Sequence, residues 1–541
     1  MVTHQQAVGR VVGDVDAFGG TDGGAGPSRA YVCPQRDQLF LMPVSMRDWV
    51  DESHLAWFVI DVVGELDLGA LHRRPGGAPG RPPYDPQMMC ALLLYAYCCG
   101  MRSCRRIEAA CRTDAAFRVI CGGLEPDHAT IARFVVDHET ALGGLFVSGL
   151  GLCAAAGLVD LSTVALDGTK MAADAALDRN RDAAWIGREV AKLLDATAAG
   201  DGAWSGQAVL GGPDASGIAE PAGRGGRLGR LQAALAVIEA ERAAAAATAA
   251  QTAKAALAAA EQGRKLCGRK PKDPAAALAR ARADHQAALT HARAKQARRA
   301  AKVAAADATG RRLGGFAPGP DRALAQAQAT LAAAETAAQA APGAAGRANV
   351  TDPDSRIMKT RTGWVQGYNA QAIVNTRQIV LACDVSQDAC DVGLYQPMIS
   401  TLTDTLAAAA ITAAPALVLA DAGYWSEANA TAPGPDRLIA TMKDHKQRRA
   451  ARDLGQTHGP PPDDATTPDA MEHRLRTADG AAAYAQRSCT IETVFADRKE
   501  NRSMRSFRRR GLQAAKSEWA FMHLAANVLK LRQHRTATAT A

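Results

Sequence analysis

The sequence predicts an α/β core that is preceded by an all-α N-terminal domain and interrupted by an Ala-rich helical insertion. Apolar residues between Met42 and Phe134 recur at helical spacing, which predicts a series of short helices. Short β-rich runs begin at Leu158 and return after Arg356, which predicts the strands of one split core. Between them, residues 224–345 are dominated by Ala with interspersed charges, a composition that favours helices with thin apolar faces.

Length and composition limit the class of protein. The chain has 541 residues, 48% of them hydrophobic and 22% charged, so we expect more than one domain and a sizeable core. A formal net charge of +8 is modest for this length and does not by itself indicate a polyanionic partner. The apolar run Ala407–Ala420 is broken by Pro415, so we predict no membrane span. The twelve cysteines show no metal-ligand spacing and the first residues resemble no export signal, so we expect reduced thiols and a cytoplasmic protein.

Changes in composition divide the chain into five parts. We predict a disordered tail over residues 1–30, a basic helical domain over 31–155, the first part of the core with a linker over 156–223, the helical insertion over 224–346, and the rest of the core with basic C-terminal helices over 347–541. Within the insertion, helices are predicted at about 227–262, 274–306 and 321–341; low-complexity disorder is the alternative.

The core elements follow from local pattern. Strands are predicted at 158–167, 368–374, 378–385, 416–421 and 438–442, and helices at 394–406 and around Phe521–Leu529.

Two of the predicted strands end in an aspartate, Asp167 and Asp421. If the strands are adjacent and parallel, the two carboxylates lie close together at one edge of the sheet. Like charges that close repel each other unless a cation lies between them, and Mg²⁺ prefers carboxylate and phosphate oxygens. The pair therefore predicts a metal site; the alternative is that each aspartate caps the turn that follows its strand.

A third acidic residue, Glu492, stands seven positions before Lys499. On a helix these two share a face, and Ile491, Val494 and Phe495 form the apolar face. This spacing is compatible with one carboxylate for a metal and one cation for a phosphate. An ordinary solvated Glu/Lys face is equally compatible with it.

With these stretches, the chain resembles the bacterial insertion-sequence transposases of the DDE type, in the branch with a helical N-terminal domain and a Tyr-(2)-Arg-(3)-Glu-(6)-Lys signature. The matching stretches are Pro126–Phe134, Ala165–Lys170, Gly367–Gln371, Asp421–Tyr424 and Glu492–Leu529. Each motif alone is weak, but their order over residues 40–530 is specific. The resemblance implies a ribonuclease-H-like mixed sheet flanked by helices, and a DNA-binding N-terminal domain.

The resemblance also implies roles for single residues. Asp167, Asp421 and Glu492 would be the catalytic metal ligands for Mg²⁺, with Mn²⁺ as an alternative, and Tyr484, Arg487 and Lys499 would lie near the DNA phosphates. One spacing departs from the pattern, because four residues rather than three separate Arg487 from Glu492.

A cluster of seven cations follows Glu492 and is opposed only by Glu500. Its members are Arg498, Lys499, Arg502, Arg505, Arg508, Arg509 and Arg510. We predict that they are spread around a helix and bind the phosphate backbone of DNA rather than base edges. Solvated charge is the alternative, and Phe507 within the run is predicted to pack inward.

Other features carry weaker predictions. Residues 103–138 resemble a helix-turn-helix whose second helix enters a major groove, although a small helical bundle has the same outline. Gly268–Pro271 is either the tip of a helical hairpin or a DNA contact, and Trp425 is predicted to be structural rather than to stack on a base. The histidines without ligand spacing, predicted to be structural or surface groups, are His128, His138, His445 and His523.

The function that these observations predict is that of a DDE transposase. It would bind the inverted-repeat ends of its element as double-stranded DNA, cleave them, and transfer the 3′ ends to target DNA by metal-dependent phosphoryl transfer, acting as a homodimer. The alternatives are a nuclease or resolvase with the same core that does not join strands, and an inactive remnant that only binds DNA.

Overall fold

The structure is a computed structural model that describes residues 33–36, 45–72, 82–198, 226–261, 274–310, 321–340, 346–442, 450 and 455–540. The tail predicted for residues 1–30, the segment Gly268–Pro271 and His445 lie outside the described residues. Among the helices that are described, none is both long and apolar enough to cross a bilayer.

Six helices form the N-terminal part. They are α1 (Leu55–Glu65), α2 (Pro86–Cys98), α3 (Cys104–Thr113), α4 (Ala115–Cys121), α5 (His128–Asp137) and α6 (Glu139–Ala155). Aspartate side chains accept hydrogen bonds from the free backbone N–H groups at the starts of α2, α4 and α5; they belong to Asp85, Asp114 and Asp127.

These helices share their hydrophobic core with the rest of the protein. Their buried side chains belong to one contiguous cluster with the strands and with the last helix, α16 (Leu512–Thr540), which packs along α6. A buried ion pair between Arg102 and Glu518 (3.0 Å) joins the N-terminal helices to α16. The predicted helices are therefore present, whereas the predicted separate N-terminal domain shares its packing with the core.

The core is a six-stranded mixed sheet. Its strands are β1 (Thr163–Ala172), β4 (Arg356–Thr360), β5 (Gly363–Asn375), β6 (Val380–Ser386), β7 (Leu417–Ala420) and β8 (Asp436–Ile439). The order is β4-β5-β1-β7-β8. Strand β4 pairs with the first part of β5, and β6 pairs with the last part of β5. Strand β1 runs antiparallel to β5 and parallel to β7, and β7 runs parallel to β8. The connection from β6 to β7 contains α11 (Tyr395–Ala408), and α12 (Glu427–Thr431) lies between β7 and β8.

Strand β1 differs from its prediction. It begins at Thr163 rather than at Leu158, and it continues to Ala172, so Asp167 lies within the strand rather than at its end. The extension has a partner, because β5 pairs with β1 from Val164 to Ala172. Asp421, in contrast, directly follows the last residue of β7, as predicted.

The Ala-rich segment forms α8 (Arg227–Glu261), α9 (Pro274–Ala308) and α10 (Arg322–Ala340), within a few residues of the predicted bounds. The base of this insertion begins earlier than residue 224. It includes α7 (Ala183–Ala198) and a two-stranded sheet of β2 (Asn180–Asp182) and β3 (Arg347–Asn349). A small apolar cluster, separate from the main core, joins these pieces: Ile186, Leu231, Ala234, Ile238 and Ala348.

Residues 467–501 form an almost continuous helical segment. After α13 (Thr467–Arg476) come α14 (Ala478–Arg487), a π-helical turn (Ser488–Glu492), α15 (Thr493–Ala496) and a second π-helical turn (Asp497–Asn501). This segment contacts β1, β5 and β7.

Candidate active site

Strands β1 and β7 place Asp167 and Asp421 side by side. Because β1 and β7 are parallel with Leu166 opposite Ala420, the next residues of the two strands, Asp167 and Asp421, occupy neighbouring positions. Each carboxylate accepts a backbone N–H at 2.7 Å, Asp167 from Gly168 and Asp421 from Gly423. The two strands are thus adjacent and parallel, the condition on which the predicted proximity of the two carboxylates depends.

Burial makes the charge on Asp167 costly. It raises the pKa of Asp167 to about 6; the guanidinium of Arg487 opposes the shift and the nearby carboxylate of Asp421 adds to it. The phenol of Tyr424 is fully buried among Asp167, Asp391 and Asp421, and burial raises its pKa well above the ordinary value. Burial and the carboxylate of Asp421 therefore both disfavour the charged form of Asp167 unless a cation is close to it.

Arg487 supplies that positive charge. Its two terminal nitrogens donate to Asp167 Oδ2 and to Glu492 Oε1, both at 2.9 Å. Although burial acts to lower the pKa of Arg487, the carboxylates, Asp167 first, raise it. One guanidinium thus joins the acidic residue of β1 to the acidic residue of the helical segment.

The π-helical turn Ser488–Glu492 explains how Arg487 reaches Glu492. In an α-helix, neighbours on one face are three or four residues apart, and residues five apart point in different directions. A π-helical turn bonds residue i to residue i+5 and so stacks residues five apart. Four residues separate Arg487 from Glu492, one more than the signature has, and all four lie in this turn.

The other two signature residues also lie at this edge of the sheet. Lys499 donates to the hydroxyl of Thr169 and to the carbonyl of Lys170 (3.4 Å), and burial lowers its pKa. The hydroxyl of Tyr484 donates to the carbonyl of Ala420 (3.3 Å), the residue before Asp421. All six residues assigned by resemblance therefore lie around the middle of β1 and the end of β7.

A carboxylate that sequence reasoning missed lies next to these residues. Asp391 Oδ1 accepts from Asn369 Nδ2 (2.6 Å), Lys170 Nζ (3.1 Å) and Gln371 Nε2 (3.2 Å). A Cβ at Gly423 would lie 3.3 Å from Asp391 Oδ2, so Asp391 lies against the turn that carries Asp421. The side chain of Gln371 also accepts a hydrogen bond from Tyr424.

The cationic cluster does not form the helix that was predicted. Only residues up to Asn501 are helical, and 502–511 run as an irregular segment with one bridge between Ser506 and Ala172. Five of its arginines pair with carboxylates of the protein: Arg498 and Arg502 with Asp497, Arg505 with Glu500, Arg509 with Glu139, and Arg510 with Asp174. Arg498 and Arg509 are buried. Arg505, which pairs with Glu500, and Arg508 are exposed.

This burial corrects the prediction for the cluster as a single DNA-tracking surface. A guanidinium that is buried in an ion pair within the protein does not face a DNA phosphate, and Phe507 does pack in the core, as predicted. Arg505 and Arg508 keep the exposure that a phosphate contact requires.

The remaining candidates have these places. Residues 103–138 contain three helices, α3 to α5, rather than two. Arg133 on α5 is exposed, and Trp425 is half-buried against the core. His128 Nδ1 is hydrogen-bonded to Glu108 Oε2 (2.6 Å). His138 is buried beside Phe134, and His523 is fully buried against Trp519. Burial holds the pKa of His523 well below its ordinary value.

The acidic residues fit a hard divalent cation by their chemistry. All three are oxygen donors, and Asp167 and Asp421 are fixed by their strands. In the part of the chain that the structure describes, no three histidines, cysteines, aspartates or glutamates lie together as a ready-made ligand set. Arg487 instead occupies the space between Asp167 and Glu492 and provides the positive charge there.

Comparison with known families gives two matches. Residues 44–137, which contain α1 to α5, match a transposase domain described as DUF772. Residues 463–532, which contain Tyr484, Arg487, Glu492 and Lys499, match a transposase DDE domain. Neither match includes Asp167 or Asp421. No match was found among curated proteins or among solved structures.

Proposed function

The two matched domains support an insertion-sequence DDE transposase, and on that premise we propose that the chain cleaves the ends of its element and transfers them to target DNA. A DDE domain implies a DNA-processing enzyme, and the transposase families imply binding to DNA. The observation that carries the proposal is the convergence of Asp167 and Glu492 on one guanidinium, beside Asp421.

The proposed catalytic core is ribonuclease-H-like. The mixed sheet supports this, because its central strand β1 carries Asp167 between an antiparallel hairpin on one side and two parallel strands on the other. The third acidic residue comes from a helical segment that packs against the same strands. Three acidic residues from distant parts of the sequence are thereby connected, Asp167 and Asp421 by neighbouring strands and Glu492 through Arg487.

Asp167, Asp421 and Glu492 would hold Mg²⁺ or Mn²⁺. When bound, the divalent cation would supply the positive charge that activates an attacking oxygen and stabilises a leaving one in phosphodiester chemistry. For Glu492 to become a ligand together with Asp167, Arg487 must release at least one of its two carboxylate partners. Its guanidinium would then be available to bind a DNA phosphate, the role that the resemblance gives it.

The chain's own residues would position the DNA. Lys499 and Arg487 would bind phosphate oxygens next to the scissile bond, and Tyr484 would fix the turn after β7 through the Ala420 carbonyl. In the first reaction, water attacks the phosphorus, the 3′ oxygen leaves with the bonding electron pair and takes up a proton, and a 5′ phosphate remains. In the second, that 3′-hydroxyl attacks a target phosphodiester, and a target 3′ oxygen leaves. Such chemistry depends mainly on position and charge.

The proposal is tested with the full chain and the DNA that flanks its coding region. Short inverted repeats there are expected. Purified protein with Mg²⁺ should nick a duplex that carries such an end and join the 3′ end to a second duplex. Nicking without joining would leave the nuclease or resolvase alternative, and end binding without nicking would leave the inactive remnant. A sample with EDTA controls for contaminating metal-independent nucleases.

Pairing of two ends favours a homodimer in the DNA complex. Light scattering of the protein with and without an end duplex measures the number of chains directly. A complex that contains a single chain at saturating protein and duplex would contradict the dimer.

A further inference from the structure

Helix α9 concentrates positive charge on one exposed face. Residues 285–306 contain five lysines and arginines and no carboxylate, whereas α8 and α10 mix both signs. Four of the five lie on one side of α9: Lys295, Arg298, Arg299 and Lys302, here called the α9 basic face. All four side chains are exposed.

The spacing of these cations opposes helix stability. Lys295 and Arg299, and likewise Arg298 and Lys302, are four residues apart and therefore neighbours on the helix surface. Each like-charge pair at this spacing destabilises a helix by about 0.2–0.5 kcal/mol. Solubility of an Ala-rich helix requires charge but not charge of a single sign. A carboxylate reaches this face from outside the helix, because Asp321, at the start of α10, lies 3.6 Å from Lys295.

We propose that the α9 basic face is an interaction surface for the phosphate backbone of double-stranded DNA. From Lys295 to Lys302 the helix rises about 10 Å, a length over which duplex DNA carries about six phosphates on its two strands. Long, exposed cationic side chains can reach several of them without base contacts. The face lies on the insertion, away from the separately packed core, so it adds backbone binding to the DNA contacts of the proposed transposase, on which this inference rests.

The test compares two variants of the full chain with the same loss of charge. One is R298Q/R299Q/K302Q on the α9 basic face. The matched control, R242Q/K254Q/R322Q, removes three exposed cations from α8 and α10 of the same insertion. Affinity for a duplex of random sequence is measured by fluorescence anisotropy over a series of salt concentrations, and circular dichroism shows that both variants keep their helices.

The α9 variant should bind the duplex more weakly, and its plot of log K against log salt should be shallower by about 0.9 for each phosphate that it no longer binds. The control should keep the slope of the wild type. Equal slopes for all three proteins, or an equal loss in both variants, would overturn the inference, and so would a wild type that does not bind duplex DNA. A loss of binding to poly-glutamate with no change on duplex DNA would assign the face to an acidic protein and would also overturn it. Nicking is assayed separately, so failure of the proposed catalytic function is distinguishable from failure of this surface.

Discussion

At the level of single residues, burial disfavours the charged form of Asp167, and the guanidinium of Arg487 offsets part of this effect. The pKa of Asp167 is raised to about 6 even with Arg487 bound to it. A folded-state pKa above the unfolded value means that Asp167 favours the folded state when protonated. This contribution is fully present below about pH 4 and is lost as the pH rises through about 6.

Arg487→Met should therefore destabilise the metal-free protein mainly above pH 6. We expect the free energy of unfolding, measured by urea titration in EDTA, to fall by about 2 kcal/mol at pH 7.5, because a partly buried carboxylate loses its partner. At pH 5, where Asp167 is protonated, the loss should be much smaller. The variant should also bind Mn²⁺ more tightly than the wild type, because a competing cation is gone.

Arg474→Met is the matched control, since Arg474 pairs with Asp436 (2.6 Å) at a more exposed position. Its cost should be about 0.5 kcal/mol or less and independent of pH over this range. Weaker Mn²⁺ binding in Arg487→Met would contradict the competition between guanidinium and metal.

Asp391 accepts hydrogen bonds from Lys170, Asn369 and Gln371. Asp391→Ala should leave these three donors without their acceptor. We expect a loss of about 2 kcal/mol in the free energy of unfolding, the scale of a hydrogen bond to a charged group, and slower nicking with unchanged DNA binding. Asp388→Ala is the control, because Asp388 is exposed and its side chain caps the N–H of Cys390. A nicking rate equal to that of the wild type would show that Asp391 does not support Asp421.

The three acidic candidates were easier to find in the sequence than the side chains around them. Asp167, Asp421 and Glu492 stood next to recognisable apolar runs, whereas Asp391 lies in a connection without periodicity, between β6 and α11. The register of β1 and β5 contains a signal that points to Asp391. Lys170 lies opposite Asn369, and Asn369 and Gln371 share a face of β5, so three donors converge on one side of the sheet and require an acceptor.

At the level of elements, the π-helical turn Ser488–Glu492 sets the spacing between the signature residues. The sequence predicted a helix here but not the turn, because a π-helical turn has no periodic pattern of its own. It was visible only as one extra residue between Arg487 and Glu492.

Deletion of Ser488 should convert the π-helical turn into an α-helical one. The arginine and the glutamate would then be four residues apart, the spacing that an α-helix stacks. Because Ser488 is exposed, we expect a folded protein whose melting temperature is close to that of the wild type and whose nicking persists. Insertion of an Ala after Ser488 is the control and should abolish the ion pair and nicking. Loss of nicking in both variants would show that the π-helical turn itself is required.

Strand β1 and the cationic cluster show why other element bounds were wrong. The end of β1 was placed at Asp167 because the apolar run stops there, but pairing with β5 continues the strand through polar residues to Ala172. The cluster at 498–510 was predicted to be one exposed surface that binds phosphates, yet two of its partners, Glu139 and Asp174, come from distant segments. Partners that far away cannot be seen in a local pattern.

At the level of the whole molecule, the insertion is joined to the core through β2 and β3. Asp182 and Arg347 are opposite each other in this two-stranded sheet. The small cluster around Ile186 and Leu231 holds α7, α8 and β3 together and is separate from the main core. The three long helices were predicted from Ala content, but α7 and β2 were not recognised as parts of the base.

Replacement of residues 183–346 by Asn-Gly should leave a folded core. These two residues form the tight turn that joins antiparallel strands, so Asp182 and Arg347 can remain paired. Removal of residues 226–344 alone should be worse, because Ile186 and Ala348 lose their apolar partners. Soluble yield and cooperative thermal unfolding measure the difference. Aggregation of the Asn-Gly variant alone would show that the insertion covers part of the core.

The most direct test of a three-carboxylate catalytic site is the single-turnover nicking rate of an element-end duplex with Mg²⁺. Asp167→Asn, Asp421→Asn and Glu492→Gln each remove a charge while keeping side-chain size. Each should lower the rate by about a hundredfold or more, the scale for loss of one charged group from a preorganised site, while end binding stays nearly intact. Asp436→Asn, at the start of β8, should keep the wild-type rate. Near-wild-type nicking by any one of the three variants would contradict its place in the site.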